Sequence, residues 1–291
     1  MRKGQMRRLR GRELLRHSSA AVLRRVPFPG RERTFRLIDR VLGPNPGEFI
    51  VPLRGGGRLI VDGIKDSYTF YLGDFQWNVH HFLCSTVGRG QTVFDIGSNI
   101  GFYTVPLALR VGSHGHVYAF EACRPNYDGL LKNIALNGLK NVTAIFGAVA
   151  DRTGTLDVPL LQHRANYSLA SASEIRTQIP SWSLDEFVAE REIDQIDLMK
   201  IDIEGSEVLA LRGARKLLSE ARVRTVICEF NPHWLSKMGS STEELFETFA
   251  SHGMEAFRLT RFARQKPIDR DFCRRSTEEF DAVLKPKASL G

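Results

Sequence analysis

The pattern of apolar and polar positions is clearest between residues 90 and 111. A strand-length apolar run around Val93, Phe94 and Ile96 lies between two glycines, Gly90 and Gly97. Apolar residues then recur at helical spacing, at positions 102, 105, 109 and 111. This order predicts a strand, a glycine turn and a helix, which is how an open α/β sheet forms a ligand crevice at the carboxyl end of a strand. The free N–H groups at the start of such a helix favour an anionic or polar ligand group.

Strands and helices alternate after this unit. The predicted strands cover residues 117–120, 142–146, 196–203, 223–230, 256–259 and 280–284. The predicted helices cover residues 125–137, 184–190, 207–218 and 242–252, and a turn-rich insertion covers 151–180. Such alternation predicts an α/β fold with a mostly parallel sheet and helices on both faces.

The chain divides into three predicted parts: a basic N-terminal arm and helix (1–48), a small β-rich cap (49–88) and the main α/β domain (89–291). The net charge is +8, but residues 1–40 hold thirteen Lys or Arg against three acidic residues, so they carry +10 and the rest −2. The arm's Arg and Leu pattern fits either an amphipathic helix on an anionic membrane surface or a solvated extension.

Four cysteines lie far apart with no CxxC pair, which argues against a zinc site or a disulfide framework. We therefore expect reduced thiols in a cytoplasmic protein. No apolar run reaches the roughly 20 residues that span a bilayer, and the N-terminus lacks the pattern of a signal peptide.

An acidic residue, Glu121, ends the second predicted strand of the sheet. A carboxylate there can accept hydrogen bonds from both hydroxyls of a ribose, or can be an ordinary strand end facing water. The preceding loop, with Asp95, Gly97, Asn99 and Gly101 at alternate positions, lacks the second glycine of a dinucleotide fingerprint. This disfavours NAD or FAD and leaves room for a nucleoside with a smaller zwitterionic tail, such as S-adenosylmethionine.

Three blocks of sequence resemble the FkbM-type S-adenosylmethionine-dependent methyltransferases. Residues 95–104 (DIGSNIGFYT) are similar to the family's DxGxNxGxYT loop, residues 121–126 (EACRPN) to its acidic strand end, and residues 200–207 (KIDIEGSE) to its KxDxEGxE signature. The resemblance covers residues 68–259. It implies a Rossmann-like class I methyltransferase fold with a seven-stranded sheet, and methylation of a hydroxyl on a sugar, a glycolipid or a secondary metabolite.

The resemblance also implies roles for single residues at the cofactor. The methionine end of S-adenosylmethionine is expected against Asp95, Gly97, Asn99 and Gly101. Glu121 is expected to hold the ribose. Ala148 and Val149 are expected beside the adenine, with Asp151 in reach of its amine.

Asp202 and Glu204 are expected to face the sulfonium and the acceptor. Transfer to an alcohol needs a base, and Asp202 and Glu204 are the first candidates, with His233 next. Carboxylates are also favoured near a helix start, and a single His is often structural, so both roles stay open. Asp202, Glu229 and Asn231 offer oxygen ligands for Mg²⁺, but no spacing requires a metal, and we predict none.

The expected partner is a small-molecule or glycan acceptor, with Arg164 in the insertion either facing a phosphate or carboxylate of the acceptor or facing solvent. A nucleic-acid methyltransferase that uses the basic arm is one alternative. No interleaved basic and aromatic pattern favours it, and nucleic acid is not expected as a partner. A non-catalytic cofactor-binding module is the other.

Overall fold

The computed structural model describes residues 48–61, 76–160, 168–169 and 175–287, with separate helical positions between 15 and 41. The side chain of Phe49 is not among the described parts. The predicted surface-binding arm, apart from those separate positions, and Arg164 lie outside the described residues.

Contacts between residues divide the chain into two units, residues 1–77 and 78–291. In the first unit, strands β1 (Phe49–Pro52) and β2 (Arg58–Val61) form an antiparallel hairpin around a turn of three glycines. Residues 78–88, which the sequence analysis placed in the cap, group with the second unit. The three-part division stays a prediction.

The second unit holds the remaining elements, apart from Trp77 at the start of its first helix. Its helices are α1 (Trp77–Thr86), α2 (Thr104–Val111), α3 (Arg124–Leu136), α4 (Leu184–Glu190), α5 (Glu207–Arg212), α6 (Arg215–Ser219), α7 (Pro232–Lys237), α8 (Thr242–Ser251) and α9 (Arg270–Arg275). Its strands are β3 (Thr92–Ile96), β4 (His116–Glu121), β5 (Val142–Phe146), β6 (Ala148–Val149), β7 (Gly154–Pro159), β8 (Arg176–Trp182), β9 (Leu198–Ile201), β10 (Val226–Phe230), β11 (Met254–Leu259), β12 (Gln265–Pro267) and β13 (Phe280–Pro286).

The central sheet has the strand order β12-β11-β13-β10-β9-β3-β4-β5. Strands β3, β4, β5, β9 and β10 are parallel, and β13 runs antiparallel between β10 and β11. The seven predicted strands are confirmed, and the short exposed β12 adds an eighth at the edge. The chain runs from β3 outward through β4 and β5, and it then returns to β9 on the other side of β3. The carboxyl ends of β3 and β9 therefore form a topological switch point.

Other differences from the predicted elements have local causes. The insertion predicted as turns contains two paired strands, β7 and β8, which form a second sheet with β6. The helix predicted over residues 207–218 is divided at Gly213, where a Cβ would overlap the carbonyl oxygen of Ala150. The short helices α7 and α9 were not predicted, and each begins at a polar cap, Asn231 or Asp269.

Both faces of the sheet are covered, as predicted. On one face the ring of Phe187 from α4 packs edge-on against Phe94 and Phe120, at centroid distances of 5.8 and 4.9 Å. On the other face, Val93 and Leu198 belong to a cluster with buried residues of α1 and α2. Leu109, expected in the apolar face of α2, is instead exposed.

All four cysteines carry free thiols, as expected. Across the described ranges, the helices are too short or too polar to cross a membrane.

Replacement of Phe187 by Ala tests the packing of the sheet. Phe187 is buried among four aromatic rings of the described residues, so Phe187→Ala is expected to lower the free energy of unfolding by about 3–5 kcal/mol. Leu109→Ala removes an exposed apolar side chain and is expected to change it by less than about 0.5 kcal/mol. Urea unfolding followed by circular dichroism measures both, and equal losses would contradict this account of the core.

Candidate active site

The turn between β3 and α2 is held against two neighbouring strands. Gly97 and Gly101 have φ of 78° and 92°, and Asn99 adopts the left-handed conformation at 50°. The N–H groups of Gly97 and Ser98 both donate to the carbonyl oxygen of Phe120 at the end of β4, at 3.0 and 2.9 Å. A Cβ at Gly97 would overlap the carbonyl oxygen of Asp202, after β9. This glycine turn (residues 97–101) therefore requires Gly97 for both its conformation and its close packing.

Glu121 connects the end of β4 to the same turn. One carboxylate oxygen, Oε2, accepts from the backbone N–H of Asn99 at 2.7 Å, and Oε1 accepts from that of Cys123 at 2.8 Å. Burial raises the pKa of Glu121 to about 7, although these hydrogen bonds act in the opposite direction. The side chain of Asn126 donates a third hydrogen bond to the carboxylate, which leaves part of its acceptor capacity for a ligand hydroxyl.

Asp95 is completely buried beneath the glycine turn. Its Oδ2 accepts from the hydroxyl of Thr104 at 2.6 Å, and its Oδ1 lies 3.7 Å from the ammonium of Lys200. Burial raises the pKa of Asp95, while the charge of Lys200 lowers it. The carboxylate therefore supports the turn from within the protein.

Lys200 was quoted within a motif but given no role in the sequence analysis. Its ammonium donates to the carbonyl oxygen of Gly97 at 3.0 Å and lies 3.3 Å from Oδ2 of Asp202. It also lies 5.1 Å from the ring centre of Tyr103, within the range of a cation–π contact. Together with Asp95, these groups surround one buried cation.

Carboxyl groups accumulate at the ends of β9, β10 and β13. Glu229 on β10 pairs with Asp281 on β13. Asp202 comes directly after Ile201, the last residue of β9, and Ile201 pairs with Cys228, which precedes Glu229 on β10. Burial, then the charges of Asp202, Glu204 and Asp281, raise the pKa of Glu229 to about 10. Among the described residues, Oε2 of Glu229 is enclosed without a hydrogen-bond partner. We call Asp202, Glu204, Glu229, Glu279 and Asp281 the acid cluster.

Two members of the acid cluster titrate near neutral pH. Burial, followed by the charge of Asp202, raises the pKa of Glu204 to about 7 and that of Asp281 to about 7. Asp281 also forms a hydrogen bond with the side chain of Asn78 on α1. The sequence analysis missed Asp281 and Asn78, because neither belongs to a local motif.

Glu204 lies in a strained turn that leads into α5. Its φ is 51°, and its carbonyl oxygen accepts from the hydroxyl of Ser168 at 2.6 Å. The helix-entry role that was considered for Asp202 and Glu204 is taken by Glu207, whose Oε1 accepts from the N–H groups of Ile203 and Gly205 at 3.2 Å each. A left-handed non-glycine residue at such a position is typical of functional sites.

Three further residues were predicted for the site, and the structure places them on α7, in β6 and after β6. His233 is exposed on α7, where its ring packs against Trp234 at 5.1 Å. Ala148 is buried in β6, in a cluster with Val158 and Ile179 of the second sheet. Asp151 is exposed at a bend after β6.

The Mg²⁺ alternative finds little support in the arrangement of its ligands. Asn231 uses its side-chain oxygen to accept from the N–H of Trp234, at 3.3 Å, as the N-cap of α7, and its amide donates to Glu279 at 3.0 Å. Within the described part of the chain, no three His, Cys, Asp or Glu residues are grouped so as to hold a metal ion.

Comparison with known proteins identifies the family. The model of the methyltransferase FkbM domain matches residues 95–256, which include the glycine turn, Glu121 and the Lys200–Glu207 block. The chain belongs to the FkbM methyltransferase family. As an FkbM methyltransferase it uses S-adenosylmethionine as the methyl donor.

One relative and three solved structures are similar to this chain. The hexuronic acid methyltransferase AglP from Haloferax volcanii is 24% identical over 177 residues, which are 53% of this chain and 72% of AglP. A proposed rRNA methylase from Clostridium thermocellum has 14% identity and a TM-score of 0.44, covering 76% of this chain and 96% of that one. S-adenosylmethionine-dependent methyltransferases from Corynebacterium glutamicum (TehB-like) and Aquifex aeolicus have 13% and 14% identity and TM-scores of 0.41 and 0.40, each covering 72% of this chain and 88% of theirs.

The residues of the FkbM site fit this cofactor. The sulfonium of S-adenosylmethionine is a cation, and the carboxyl groups of the acid cluster outnumber the ammonium of Lys200 that lies beside Asp202. The ribose is a pair of hydroxyl donors, and Glu121 has acceptor capacity left after its two backbone hydrogen bonds and the one from Asn126. The chemistry of the side chains therefore matches the sulfonium and the ribose of the ligand.

Replacement of Gly97 tests the glycine turn with a matched control. Gly97→Ala is expected to weaken S-adenosylmethionine binding by about tenfold or more, because the new Cβ overlaps Asp202 and the turn must move. Gly90 has the same φ of 78°, but a Cβ there meets no atom within 4 Å, so Gly90→Ala carries the backbone strain alone. Isothermal titration calorimetry compares them, and equal affinities for the two variants would contradict the requirement at Gly97.

Proposed function

We propose that this FkbM methyltransferase methylates a hydroxyl group on a sugar, a glycolipid or a secondary metabolite. The observation that carries the proposal is Glu204, a partly buried carboxyl whose pKa lies at about 7 beside Asp202, at the strand ends where an acceptor would meet the cofactor. A base for an alcohol works best when its pKa lies near the working pH. The relative AglP, a hexuronic acid methyltransferase by name, supports a sugar as acceptor.

The cofactor roles follow the contacts of the glycine turn. In the proposed complex, Glu121 accepts hydrogen bonds from the ribose hydroxyls, and Asn99, Gly97 and Gly101 line the methionine end. Asp95 acts from beneath the turn through Thr104 and Lys200 rather than by direct contact, because it is completely buried. Ala148 is proposed beside the adenine, since Gly147 before it donates its N–H to the carbonyl oxygen of Glu121 at 3.0 Å.

The chain's task in the reaction is to orient the acceptor and remove its proton. S-adenosylmethionine, when bound, supplies an electrophilic methyl group on a positively charged sulfur. Asp202 and Glu204 are proposed to hydrogen-bond the acceptor hydroxyl, and Glu204 takes its proton as the oxygen attacks. His233 is the second candidate for the base, although it lies exposed on α7.

The electrostatics of the site favour a neutral hydroxyl over a carboxylate as the methylated group. An anionic acceptor would be repelled by Asp202 and by the ionised form of Glu204, whereas a neutral one would not. We propose a cytoplasmic setting for this reaction, which the four free thiols support.

The pH dependence of turnover tests the base. Because a base must be ionised, kcat is expected to rise with pH through about 7, the pKa of Glu204. Glu204→Gln is expected to abolish this rise and to lower kcat by roughly 10²–10⁴-fold. Glu220→Gln, on an exposed residue, serves as the control. Should His233→Ala remove the rise while Glu204→Gln keeps it, His233 would be the base.

The acceptor class is tested with isotope-labelled S-adenosylmethionine and mass spectrometry of products. Neutral sugars, uronic acids and RNA are offered in parallel, and methylation at a sugar hydroxyl is expected. Labelling confined to RNA and lost on deletion of residues 1–40 would favour the nucleic-acid alternative. Cofactor binding without labelling of any acceptor would favour a non-catalytic module.

Glu121→Ala is expected to weaken cofactor binding by about tenfold or more, because the ribose loses its acceptor.

A further inference from the structure

Lys200 is a buried cation among carboxylates. The proposed function gives it no part in holding the ribose or in removing the proton of the acceptor hydroxyl. Its side chain is 5% exposed, and its ammonium contacts Gly97, Asp202 and Asp95. We propose that Lys200 is a positioning residue for methyl transfer, fixing the glycine turn to Asp202 and setting the charge that the cofactor's sulfur meets. This inference rests on the proposed placement of the cofactor.

The geometry shows how Lys200 joins the two halves of the site. Gly97 and Asp202 come from adjacent strands, and the N–H of Asp202 donates to the carbonyl oxygen of Ile96 at 3.1 Å. Lys200 lies two residues before Asp202, so both side chains leave the strand on the same face. Its ammonium then bridges the Gly97 carbonyl, at 3.0 Å, and the Asp202 carboxylate, at 3.3 Å. A shift of either group would break a charge-assisted contact in a site with little access to water.

Lys200 acts as a fixed charge rather than as a base. Burial lowers its pKa, but the charges of Asp202, Asp95 and Glu229 raise it, and the net result is a pKa above the usual lysine value. The side chain is therefore an ammonium at neutral pH. Tyr103, whose ring lies beside it, has its own pKa raised well above its usual value by burial.

The charge of Lys200 should be felt differently by substrate and product. S-adenosylmethionine has a sulfonium, whereas S-adenosylhomocysteine has a neutral thioether, so the two ligands differ by one positive charge at sulfur. An ammonium in the same site opposes binding of the first relative to the second. Removal of that ammonium is expected to favour S-adenosylmethionine, whereas a purely structural defect would weaken both ligands by the same factor.

The test uses the full chain and compares three variants with a control. Lys200→Met removes the charge and keeps most of the volume. Asp95→Asn with Lys200→Met also removes the buried carboxylate that would otherwise lose its partner, in case the single variant does not fold. Lys200→Arg keeps the charge but not the geometry. Lys216→Met, on an exposed lysine of α6, is the control.

Calorimetry with each ligand and initial rates give the result. We expect the ratio of the S-adenosylhomocysteine Kd to the S-adenosylmethionine Kd to rise about threefold or more in Lys200→Met, and kcat to fall about tenfold or more. The double variant loses one positive and one negative charge, so its ratio should stay within about twofold of wild type while kcat falls. In Lys200→Arg the ratio should stay within about twofold of wild type while kcat falls.

An unchanged ratio in Lys200→Met would overturn the role of Lys200, and so would a wild-type kcat in the double variant if Lys200→Met does not fold. In either case, S-adenosylmethionine binding by the wild-type protein would leave the proposed function intact. Absence of S-adenosylmethionine binding by folded wild-type protein would overturn the proposed function and this inference together.

Discussion

The backbones of Gly97 and Asp202 approach so closely that no side chain fits between them at Gly97. The approach occurs where β3 and β9 lie side by side while the chain leaves them in opposite directions across the sheet. A crevice must form at such a point, since no connection covers the carboxyl ends of both strands. The glycine turn, Glu121 and Asp202 are all placed by this one constraint.

The site also concentrates charge where the protein has the least water. Asp95 is completely buried, and Glu229 has an enclosed oxygen without a described partner. A carboxyl group in this position is neutral or paired, because an isolated buried charge is costly. Lys200 supplies one counter-charge, and burial together with the neighbouring carboxylate charges raises the pKa values of Glu204 and Glu229. A cationic ligand bound in this site would offset the excess of carboxyl groups over ammonium groups.

Local sequence was enough to predict the seven main strands and the glycine turn, because each depends on a contiguous apolar run or on the spacing of two glycines. It was not enough for Asp281, which lies beside Glu229 only through the antiparallel register of β13. Gly213 was likewise unremarkable in a helical pattern, and only the proximity of Ala150 shows why no side chain fits at this position. Partners that depend on register or on a tertiary contact leave no local signal.

The two ends of the site differ in how far family membership constrains them. The proposed cofactor end rests largely on the backbone of the glycine turn, whose shape is fixed by the hydrogen bonds between Asn99 and Glu121 and between Gly97 and Lys200. The proposed acceptor end rests on side chains that lie on or after separate strands, including Glu204 and Asp281, so a single substitution there changes its charge. A distant relative such as AglP can therefore share the donor and differ in the acceptor. For this reason the acceptor must be argued from the charges of this chain and not from the name of a relative.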